Sequence, residues 1–399
     1  MYEKLVLDSI RSDRDNLVAL RRYFHMHPEV AKEEYNTASK IEEFLHGLSL
    51  DTERVGETGV YSEIRGTKSG AERTIVLRAD IDALPVEEKH SSPCPYESQN
   101  PGISHACGHD AHTAALLEAA SFLVSHRDLF SGTVRLAFQQ GEEIGYGARL
   151  FVDGGYLDGA DRVFGIHMES RRKVGRVSLT PGPNNASVDW FRISIHGKSA
   201  HVSTPELGID ALYVASQIVV AVQSIITRRT NPTDAVLIGI GKLDAGTAYN
   251  IVAGDASMEG TLRCMLPDVR KKAKADIERT ASSVAAIYGA DVSFEWKDFT
   301  SPLINDRESA AEAQKVAARL FGPENIDTDR PYSLGGDDFA EFIIHTPGVY
   351  AYVGSANADK PDTEVAHHNN RFDIDEDALV VAAALHAAYA IEFLNWTIG

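Results

Sequence analysis

The sequence has little cysteine, a deficit of basic charge and no long uninterrupted apolar run. It contains three cysteines, Cys94, Cys107 and Cys264, in 399 residues, which excludes a disulfide framework. Lysine and arginine number 39 against 58 aspartates and glutamates, giving a formal net charge of −19. Nucleic acids and anionic membrane surfaces attract clustered basic residues, so we expect neither as a partner and expect a small-molecule ligand instead.

The apolar segments do not predict a membrane anchor. The longest, at 378–394, carries His386 and Glu392 and is predicted to be a buried C-terminal helix, since it falls short of a spanning segment. The N-terminal stretch MYEKLVLDSIRSDRDNL has charges throughout and lacks the apolar core of a signal peptide. We therefore expect a cytoplasmic protein with no membrane partner.

The order of predicted strands and helices indicates two kinds of domain. Short buried strands and a helix alternate in the first part of the chain: TIVLRADID (74–82), AHTAALLEAASFLV (111–124), TVRLAFQQ (133–140) and RVFGIH (162–167). This predicts a mixed, mostly parallel sheet flanked by helices. After the loop PGPNN (181–185), the order strand, helix, strand, strand, helix, strand is typical of a ferredoxin-like α+β unit. We expect a catalytic α/β domain over 1–184 and 299–399, with the ferredoxin-like domain inserted at 185–298.

The stretch SHACGHDAH (104–112) concentrates side chains that bind transition metals. Cys107 and His109 are two residues apart, so in an extended segment both point the same way and can bind one ion. A buried thiol beside a helix start is the alternative. Asp110 is predicted to be the N-cap of the following helix rather than a ligand. We predict that His105 and His112 are polar surface residues rather than residues that support the metal ligands.

Three further stretches carry candidate site residues. Glu142 and Glu143 follow a strand in QQGEEIGYGA; they are either a solvated helix start or a pair in which one carboxylate binds a metal and the other reaches water. His167 ends an apolar strand, where α/β sheets place their sites, and we favour a ligand over a core histidine. His367 and His368 precede the C-terminal helix, and one of them is compatible with loop surface.

These stretches resemble the motifs of the metal-dependent N-acyl-amino-acid amidohydrolases, relatives of hippurate hydrolase, aminoacylase and auxin-conjugate hydrolases within the dimetal peptidase superfamily. The matching stretches run in order along nearly the whole chain: RADIDALPVEE, HACGHDAHTA, the Glu-Glu of FQQGEE, FGIH, GKSAHVSTPELGIDA, YNIVAGDASMEGTLR and HHNNRFD. The resemblance implies hydrolysis of the amide bond of N-acyl amino acids. The alternative enzyme is a dipeptidase or carboxypeptidase. The alternative outside enzymes is a metal- or ligand-binding module that has lost catalysis, and the presence of Glu142 argues against it.

Carried over position by position, the resemblance implies a catalytic base at Glu142 and an acidic supporting residue at Asp82, which would otherwise be interpreted as a turn residue at the end of a strand. It implies five metal ligands: Cys107, His109, Glu143, His167 and His368. His368 is chosen over His367 because it begins the spacing H-N-N-R-F. Asp337 in GGDDF stands where the family commonly has glutamate, which leaves its role open.

Five ligands are too few for two separate three-ligand sites, so two divalent ions would have to share one ligand. Cys107, as thiolate, is our candidate bridge, with water or hydroxide as the second. Thiolate, imidazole and carboxylate together favour Zn or Mn, with Co or Ni as further candidates, over Mg or Ca. A divalent metal lowers the pKa of water from about 15.7 towards about 7, and Glu142 would accept the proton.

The inserted domain contributes three residues through the resemblance. Asn250 and Arg263 are implied to hold the substrate carboxylate, a role for which a guanidinium is well suited; an exposed strand arginine is the alternative. His201 is implied to donate to the oxyanion at the site of a partner subunit, which makes the inserted domain a lid and dimerisation domain of a homodimer. The alternative is that His201 is a surface or helix-capping residue. Ser203, Thr204 and Pro205 are predicted to mark the start of the first helix of the inserted domain.

Overall fold

The computed structural model describes residues 2–395. The chain folds as two compact units. Unit 1 contains the chain up to Gly182, Ile304–Pro331 and the chain from Asp337 onward; unit 2 contains Pro183–Leu303 and Tyr332–Gly336. Tyr332–Gly336 belongs to unit 2 because Ser333 donates its N–H to Asn184 and accepts the N–H of Ala186. The limits 1–184, 185–298 and 299–399 remain a prediction, and they assign this short segment to the outer domain.

Ten α-helices lie within residues 2–395. Their bounds are α1 Tyr2–Ser12, α2 Arg14–Met26, α3 Tyr35–Gly47, α4 His109–Ser125, α5 Gly147–Asp153, α6 Ala211–Ser224, α7 Pro267–Ile287, α8 Arg307–Phe321, α9 Phe339–His345 and α10 Asp377–Asn395.

The strands within the same residues are β1 Thr52–Val55, β2 Gly59–Arg65, β3 Thr74–Asp80, β4 Thr133–Gln139, β5 Arg162–Lys173, β6 Val177–Ser178, β7 Gly182–Asn185, β8 Val188–His196, β9 Ala200–His201, β10 Val236–Ala245, β11 Ile251–Val252, β12 Asp255–Cys264, β13 Asp291–Thr300, β14 Leu303–Asn305, β15 Ile326–Asp327 and β16 Gly348–Ala356. PGPNN, predicted to be a loop, therefore contains a short strand.

Unit 1 is built on one eight-stranded sheet with the order β1-β2-β4-β3-β5-β16-β6-β15. Its central strands β4, β3, β5 and β16 run parallel to one another, whereas β1, β2 and β6 have antiparallel neighbours. Every residue of β16 is buried, and α4 and α10 pack against each other and against the sheet. The prediction of a mixed, mostly parallel sheet flanked by helices is confirmed.

Unit 2 has the ferredoxin-like order β8, α6, β10, β12, α7, β13. Its four long strands form an antiparallel sheet in the order β10-β12-β8-β13. The predicted helix start at Ser203–Pro205 was wrong. The segment Pro205–Leu207 makes a short 3₁₀ turn, and α6 begins at Ala211 because the Asp210 carboxylate accepts the N–H groups of Leu212 and Tyr213, a standard N-cap arrangement.

Two helices are long and apolar enough to cross a membrane by length and composition. In Asp377–Asn395, 89% of the apolar window is buried inside the protein, and in Ala211–Arg229 33% is buried. The first is the predicted C-terminal helix, and it is a core helix of unit 1, as expected. The second is α6 with the turn that follows it, and its buried residues pack on the sheet of unit 2.

Candidate metal centre

Two neighbouring parallel strands deliver carboxylates to the same edge of the unit 1 sheet. β3 ends at Asp80 and is followed by Asp82, and β4 ends just before Gly141. Gly141 and Gly145 have φ values of 59° and 61° and flank a single 3₁₀ turn, Glu142–Ile144. Only glycine adopts this left-handed backbone at low cost. The two glycines therefore turn Glu142 and Glu143 back towards the strand ends, instead of opening a solvated helix.

His167 reaches this edge in a way the sequence did not indicate. β5 does not end at His167 but continues to Lys173. Its pairing with β3 stops at Gly165, opposite Arg78, while its pairing with β16 continues through His167, opposite Tyr352. His167 thus stands beyond the end of β3, where its side chain meets residues that follow that strand.

The histidines His109 and His167 present the same ring nitrogen to the centre. The Nδ1 atom of His109 lies 2.9 Å from the carbonyl oxygen of Asp82, and that of His167 lies 2.6 Å from the carbonyl oxygen of Met168. A carbonyl can only accept, so each Nδ1 carries a hydrogen and each Nε2 is the nitrogen left to face the centre. This is the tautomer in which a histidine binds a metal through Nε2 with its other nitrogen held by the protein.

Asp82 links the histidine to the glutamate turn. Its Oδ2 atom accepts the backbone N–H of Glu143 at 3.0 Å, and its Oδ1 lies 3.3 Å from His109 Nδ1. The side chain is buried. Asp82 is therefore in the position of a residue that orients two neighbours rather than in that of a turn residue exposed to water.

The five sequence-predicted ligands come together in two overlapping groups. Cys107 groups with His109 and His167, and Cys107 also groups with Glu143 and His368; within each group the candidate ligand atoms lie within 4.8 Å of one another. The Sγ atom of Cys107 is 3.5 Å from His167 Nε2, and His368 Nε2 is 3.4 Å from Glu143 Oε1. Cys107 is the residue common to both groups, as a bridging ligand would be.

The two adjacent histidines near the C-terminal helix have different surroundings. His368 has a left-handed backbone with φ of 63°, and its N–H donates to the carbonyl of Ala106, which brings its ring towards Glu143. The ring of His367 is half-buried and packs against Phe372, and its Nε2 accepts the N–H of Ser170 at 3.5 Å. The geometry thus favours His368 over His367 as the candidate ligand, as the spacing H-N-N-R-F does.

One buried atom supports the fit of a cation. Among residues 2–395, the Nε2 atom of His109 has no hydrogen-bond partner. Carboxylate oxygens of Asp80, Glu142 and Glu143 lie 3.7, 3.9 and 3.9 Å away, too far for hydrogen bonds. Such distances leave room for an ion bound at about 2.0–2.2 Å from nitrogen and oxygen ligands.

The local charges also favour a cation. Burial raises the pKa of Glu142 well above its usual value, and the Asp337 and Glu143 carboxylates add to the rise. Burial likewise raises the pKa of the Cys107 thiol, reinforced by Glu143 and Glu142. Burial opposes protonation of His109, but Asp80 and Asp82 raise its pKa to about 10. Beyond the effect of burial, each pKa is raised further by neighbouring carboxylates, whose negative charge a bound divalent ion would offset.

A buried arginine that sequence reasoning missed organises the acidic residues behind the centre. The Arg78 guanidinium is fully buried and donates to Gln139 Oε1 at 2.9 Å and to Asp338 Oδ1 at 3.0 Å. It also pairs with Asp80 and lies 3.6 Å from Asp337. The sequence offered one signal, an arginine inside the otherwise apolar strand TIVLRAD, since a charge within a buried strand needs partners.

The prediction that His105 and His112 lie on the polar surface was wrong, since both side chains are buried. His112 Nδ1 lies 2.6 Å from Asp80 Oδ1, and its Nε2 accepts the N–H of Met168 at 2.8 Å. Asp80, His109 and His112 also lie close enough to hold an ion, but both His112 nitrogens are already used. His112 is therefore better placed to fix Asp80 and β5 than to bind metal.

The predicted capping role of Asp110 was also wrong. Gly108 is the N-cap of α4, and Asp110 lies inside the first turn. Its Oδ2 atom lies 2.7 Å from Arg21 Nε and 2.6 Å from His25 Nδ1, with all three side chains buried. Asp110 thus joins α4 to α2, a tertiary role that local sequence could not reveal.

The three candidate residues of unit 2 lie on its sheets and their connections. His201 is exposed and pairs with Ile251 between β9 and β11; its Nδ1 is 2.7 Å from Ser203 Oγ. Asn250 is exposed, and its carbonyl accepts the N–H of Val202, so it neighbours His201. Arg263 is half-buried on β12, where its Nε donates to Thr261 Oγ1 at 3.1 Å.

Comparison with known proteins gives the family. Residues 76–392 match the model of peptidase family M20/M25/M40. The chain is 38% identical over 400 residues to thermostable carboxypeptidase 1 of Saccharolobus solfataricus, covering 99% of both proteins. It is 38% identical over 368 residues to the N-acetyl-L-cysteine deacetylase of Bacillus subtilis, covering 92% of this chain and 85% of that protein.

A solved structure agrees with the sequence relatives. The crystal structure of the Bacillus subtilis YXEP protein, described as a dinuclear metal-binding peptidase from the M20 family, matches with a TM-score of 0.84 and 34% identity, covering 96% of this chain and 99% of that one. The fold, the cluster of ligand-type side chains and these relatives agree, and the chain belongs to peptidase family M20/M25/M40 as a metal-dependent hydrolase.

Proposed function

We propose that this chain hydrolyses the amide bond of N-acyl amino acids, releasing a carboxylic acid and a free amino acid. The observation that carries the proposal is the glutamate pair. Each glutamate places one oxygen 3.9 Å from His109 Nε2, and Glu143 Oε1 also lies 3.4 Å from His368 Nε2. One carboxylate is thus available as a ligand and its neighbour as a base, which is what amide hydrolysis by water requires.

The residues present fit two divalent ions. Cys107, His109, Glu143, His167 and His368 would hold them, with the Cys107 thiolate shared between both groups. Their mixture of thiolate, imidazole and carboxylate favours Zn or Mn, with Co or Ni also compatible. When bound, such ions supply Lewis-acid polarisation of the amide carbonyl and acidify water.

The protein's own groups supply the proton transfers. Glu142 would accept a proton from the attacking water at its carboxylate and deliver it to the leaving nitrogen, a role that contributes about 10²- to 10⁴-fold. The Asp82 carbonyl, which holds His109 Nδ1 at 2.9 Å, and the Met168 carbonyl, which holds His167 Nδ1 at 2.6 Å, keep both rings in the orientation required. Asp82 also fixes the Glu142–Glu143 turn through the Glu143 N–H.

A carboxypeptidase is the second candidate, favoured by the name of the Saccharolobus relative. The two candidates share their chemistry, because the C-terminal residue of a peptide is itself an N-acylated amino acid with a free carboxylate. The deacetylase from Bacillus subtilis favours the small-acyl alternative. Acyl-group size is therefore what distinguishes the two.

A substrate panel tests the proposal. The metal-loaded enzyme would be assayed with acetyl, benzoyl and indole-acetyl amino acids and with blocked and unblocked dipeptides, using added Mn or Zn. We expect higher kcat/KM on the N-acyl amino acids. Faster turnover of the peptides would select the carboxypeptidase, and inactivity on every substrate with metals bound would overturn both.

Cys107→Ala is expected to remove at least one ion per chain while the fold remains. The thiol is common to both ligand groups, whereas the surrounding core is formed by strands and helices that pack without it. Elemental analysis after dialysis, with circular dichroism as the fold check, measures this. Cys264→Ala is the matched control, because Cys264 is buried in the core of unit 2. Wild-type metal content in Cys107→Ala would contradict the ligand assignment.

Arg263→Ala is expected to lower kcat/KM for N-acyl amino acids by about 10- to 100-fold, the equivalent of losing a hydrogen bond to a charged group. The loss should be much smaller on the corresponding carboxamides, which lack the carboxylate that Arg263 and Asn250 would hold. Arg192→Ala, which removes an exposed arginine from β8 of the same unit, serves as the control. Equal losses on both substrate types would argue against this clamp.

The active form is proposed to be a cytoplasmic homodimer assembled through the inserted unit 2. The observation that supports this is the exposure of His201, whose Nδ1 lies 2.7 Å from Ser203 Oγ. A donor to the oxyanion must approach the substrate carbonyl, and an exposed histidine on the short strand β9 of unit 2 can do so across a two-fold axis.

A further inference from the structure

A buried glutamate outside the candidate ligand set contacts the turn that carries Glu142. Glu34 lies in the loop between α2 and α3, and its surface is fully buried. Its Oε1 atom accepts the backbone N–H of Gly141 at 2.9 Å. Gly141 immediately precedes Glu142, so a side chain 107 positions away in the sequence holds the start of the glutamate turn.

The position of Glu34 in the sequence would ordinarily give it a different role. It is the N-cap residue of α3, where a side chain usually accepts N–H groups of the first helical turn. The Glu34 side chain makes no such bond. Glu29 takes that role, because its two carboxylate oxygens accept the N–H groups of Asn36 and Thr37 at 3.1 and 2.8 Å. The carboxylate of Glu34 is thereby left to reach the edge of the unit 1 sheet.

The second oxygen of Glu34 is held by the hairpin of β1 and β2. Thr58, a buried residue in the turn of that hairpin, donates its hydroxyl to Glu34 Oε2 at 2.7 Å. The same hairpin holds the residue before Gly141, since Gln140 Nε2 donates to the carbonyl of Val55 at 2.8 Å. Hydrogen bonds to both oxygens offset the cost of burying a carboxylate, and they fix the side chain in one orientation.

Glu142 consequently lies between two residues whose backbone N–H groups are held by buried carboxylates. On one side, Glu34 Oε1 accepts the N–H of Gly141. On the other side, Asp82 Oδ2 accepts the N–H of Glu143 at 3.0 Å. The two contacts restrict the backbone at Glu142, and the rotamers open to a side chain depend on its backbone conformation. The direction in which the Glu142 carboxylate points is therefore set from both sides.

We propose that Glu34 is a positioning residue for hydrolysis, which holds the Gly141 N–H and thereby the backbone from which Glu142 reaches the attacking water. This inference rests on the proposed function, in which Glu142 is the general base. Glu34 contacts the backbone of the turn, so its effect on the reaction is transmitted through geometry. A misplacement of about 1 Å in a catalytic group can cost about 10²-fold in rate.

Two substitutions of Glu34 separate its hydrogen bonds from its charge. Glu34→Ala leaves the Gly141 N–H without its acceptor, and we expect kcat to fall by about 10²-fold. Metal content and KM should stay near wild type, since Asp82 still holds Glu143. Glu34→Gln should retain near wild-type kcat, because the amide oxygen can accept from Gly141 while the NH₂ group donates to Thr58 Oγ1.

Glu29→Ala is the matched control. It removes a carboxylate from the same loop, one that accepts two backbone N–H groups of α3, and it should lower the Tm while kcat stays near wild type. The same pattern in Glu34→Ala would show a purely structural role and overturn the proposal. Equal losses of kcat in Glu34→Ala and Glu34→Gln would also overturn it, because glutamine keeps the acceptor.

Glu34→Asp provides the test if the alanine variant folds poorly. It keeps the charge and shortens the side chain by one methylene, which withdraws the acceptor from the Gly141 N–H. We expect its kcat to fall while that of Glu34→Gln does not. The reverse order, with the aspartate variant active and the glutamine variant impaired, would show that charge rather than positioning matters and would overturn the proposal.

A double-mutant cycle distinguishes failure of this inference from failure of the proposed function. If Glu34 acts through Glu142, Glu34→Ala should have little further effect on the residual turnover of Glu142→Gln. A full additional loss in the double variant would show that Glu34 acts elsewhere, and would overturn the inference while Glu142 remains the base. Near-normal kcat in Glu142→Gln alone would instead contradict the assignment of the base, on which both proposals rest.

Discussion

Glu142→Gln is expected to lower kcat by about 10²- to 10⁴-fold, the usual contribution of a general base. The substitution keeps the size of the side chain and removes its ability to take a proton. Glu142 is buried in the cluster, where Asp337 and Glu143 add to the effect of burial in raising its pKa. Burial and neighbouring carboxylates favour the protonated carboxyl, which is the form that a base reaches when it accepts a proton from water.

The measurement is kcat and KM with metal content on the same preparation. Metal content and KM should stay near wild type. Glu143→Gln is the informative comparison, because Glu143 faces His368 at 3.4 Å and its loss should lower metal content as well as turnover. Near-normal kcat in Glu142→Gln would show that the proton is carried elsewhere.

His201→Ala should lower kcat by about two to three orders of magnitude while both ions remain bound, by analogy with removing one oxyanion donor. The side chain is exposed and is hydrogen-bonded within its own loop to Ser203, so its loss should cost little stability. His196→Ala is the matched control, since His196 is an exposed histidine on β8 of the same unit. Its kcat should stay near wild type.

Mixing two inactive proteins then tests whether the site is shared. A heterodimer of Glu142→Gln and His201→Ala chains would contain one site with both wild-type residues, if His201 serves the partner's centre. Activity should return to about half of normal per heterodimer. If labelled subunits exchange and no activity returns, His201 acts within its own chain or has no catalytic role.

Elements that depend on local pattern were predictable from the sequence. The strands β3 and β4 and the helices α4 and α10 lie within a few residues of their expected bounds, because hydrophobic patterning is a local property. The start of α6 was misplaced because Ser203, Thr204 and Pro205 imitate a helix start. The Asp210 N-cap was the real signal, and it was overlooked.

The surroundings of buried polar residues were not predictable. Arg78, His112 and Asp110 each have partners supplied by distant segments: Asp338, Met168 and Arg21 respectively. Nothing in a local window distinguishes a histidine held by such partners from one on the surface. The five candidate ligands were identifiable because the family motifs encode their spatial proximity, which hydropathy does not.

The parallel pairing of β5 with β16 sets the order in which the centre can form. Val163 pairs with Gly348, and the whole of unit 2 lies between them in the chain. Closing so long a loop is slow, and such non-local pairing delays folding. Cys107, His109, Glu143 and His167 emerge from the ribosome well before His368. A nascent chain therefore lacks one of the five candidate ligands until its last segment has docked, and we expect metal loading to be a late event in the maturation of this protein.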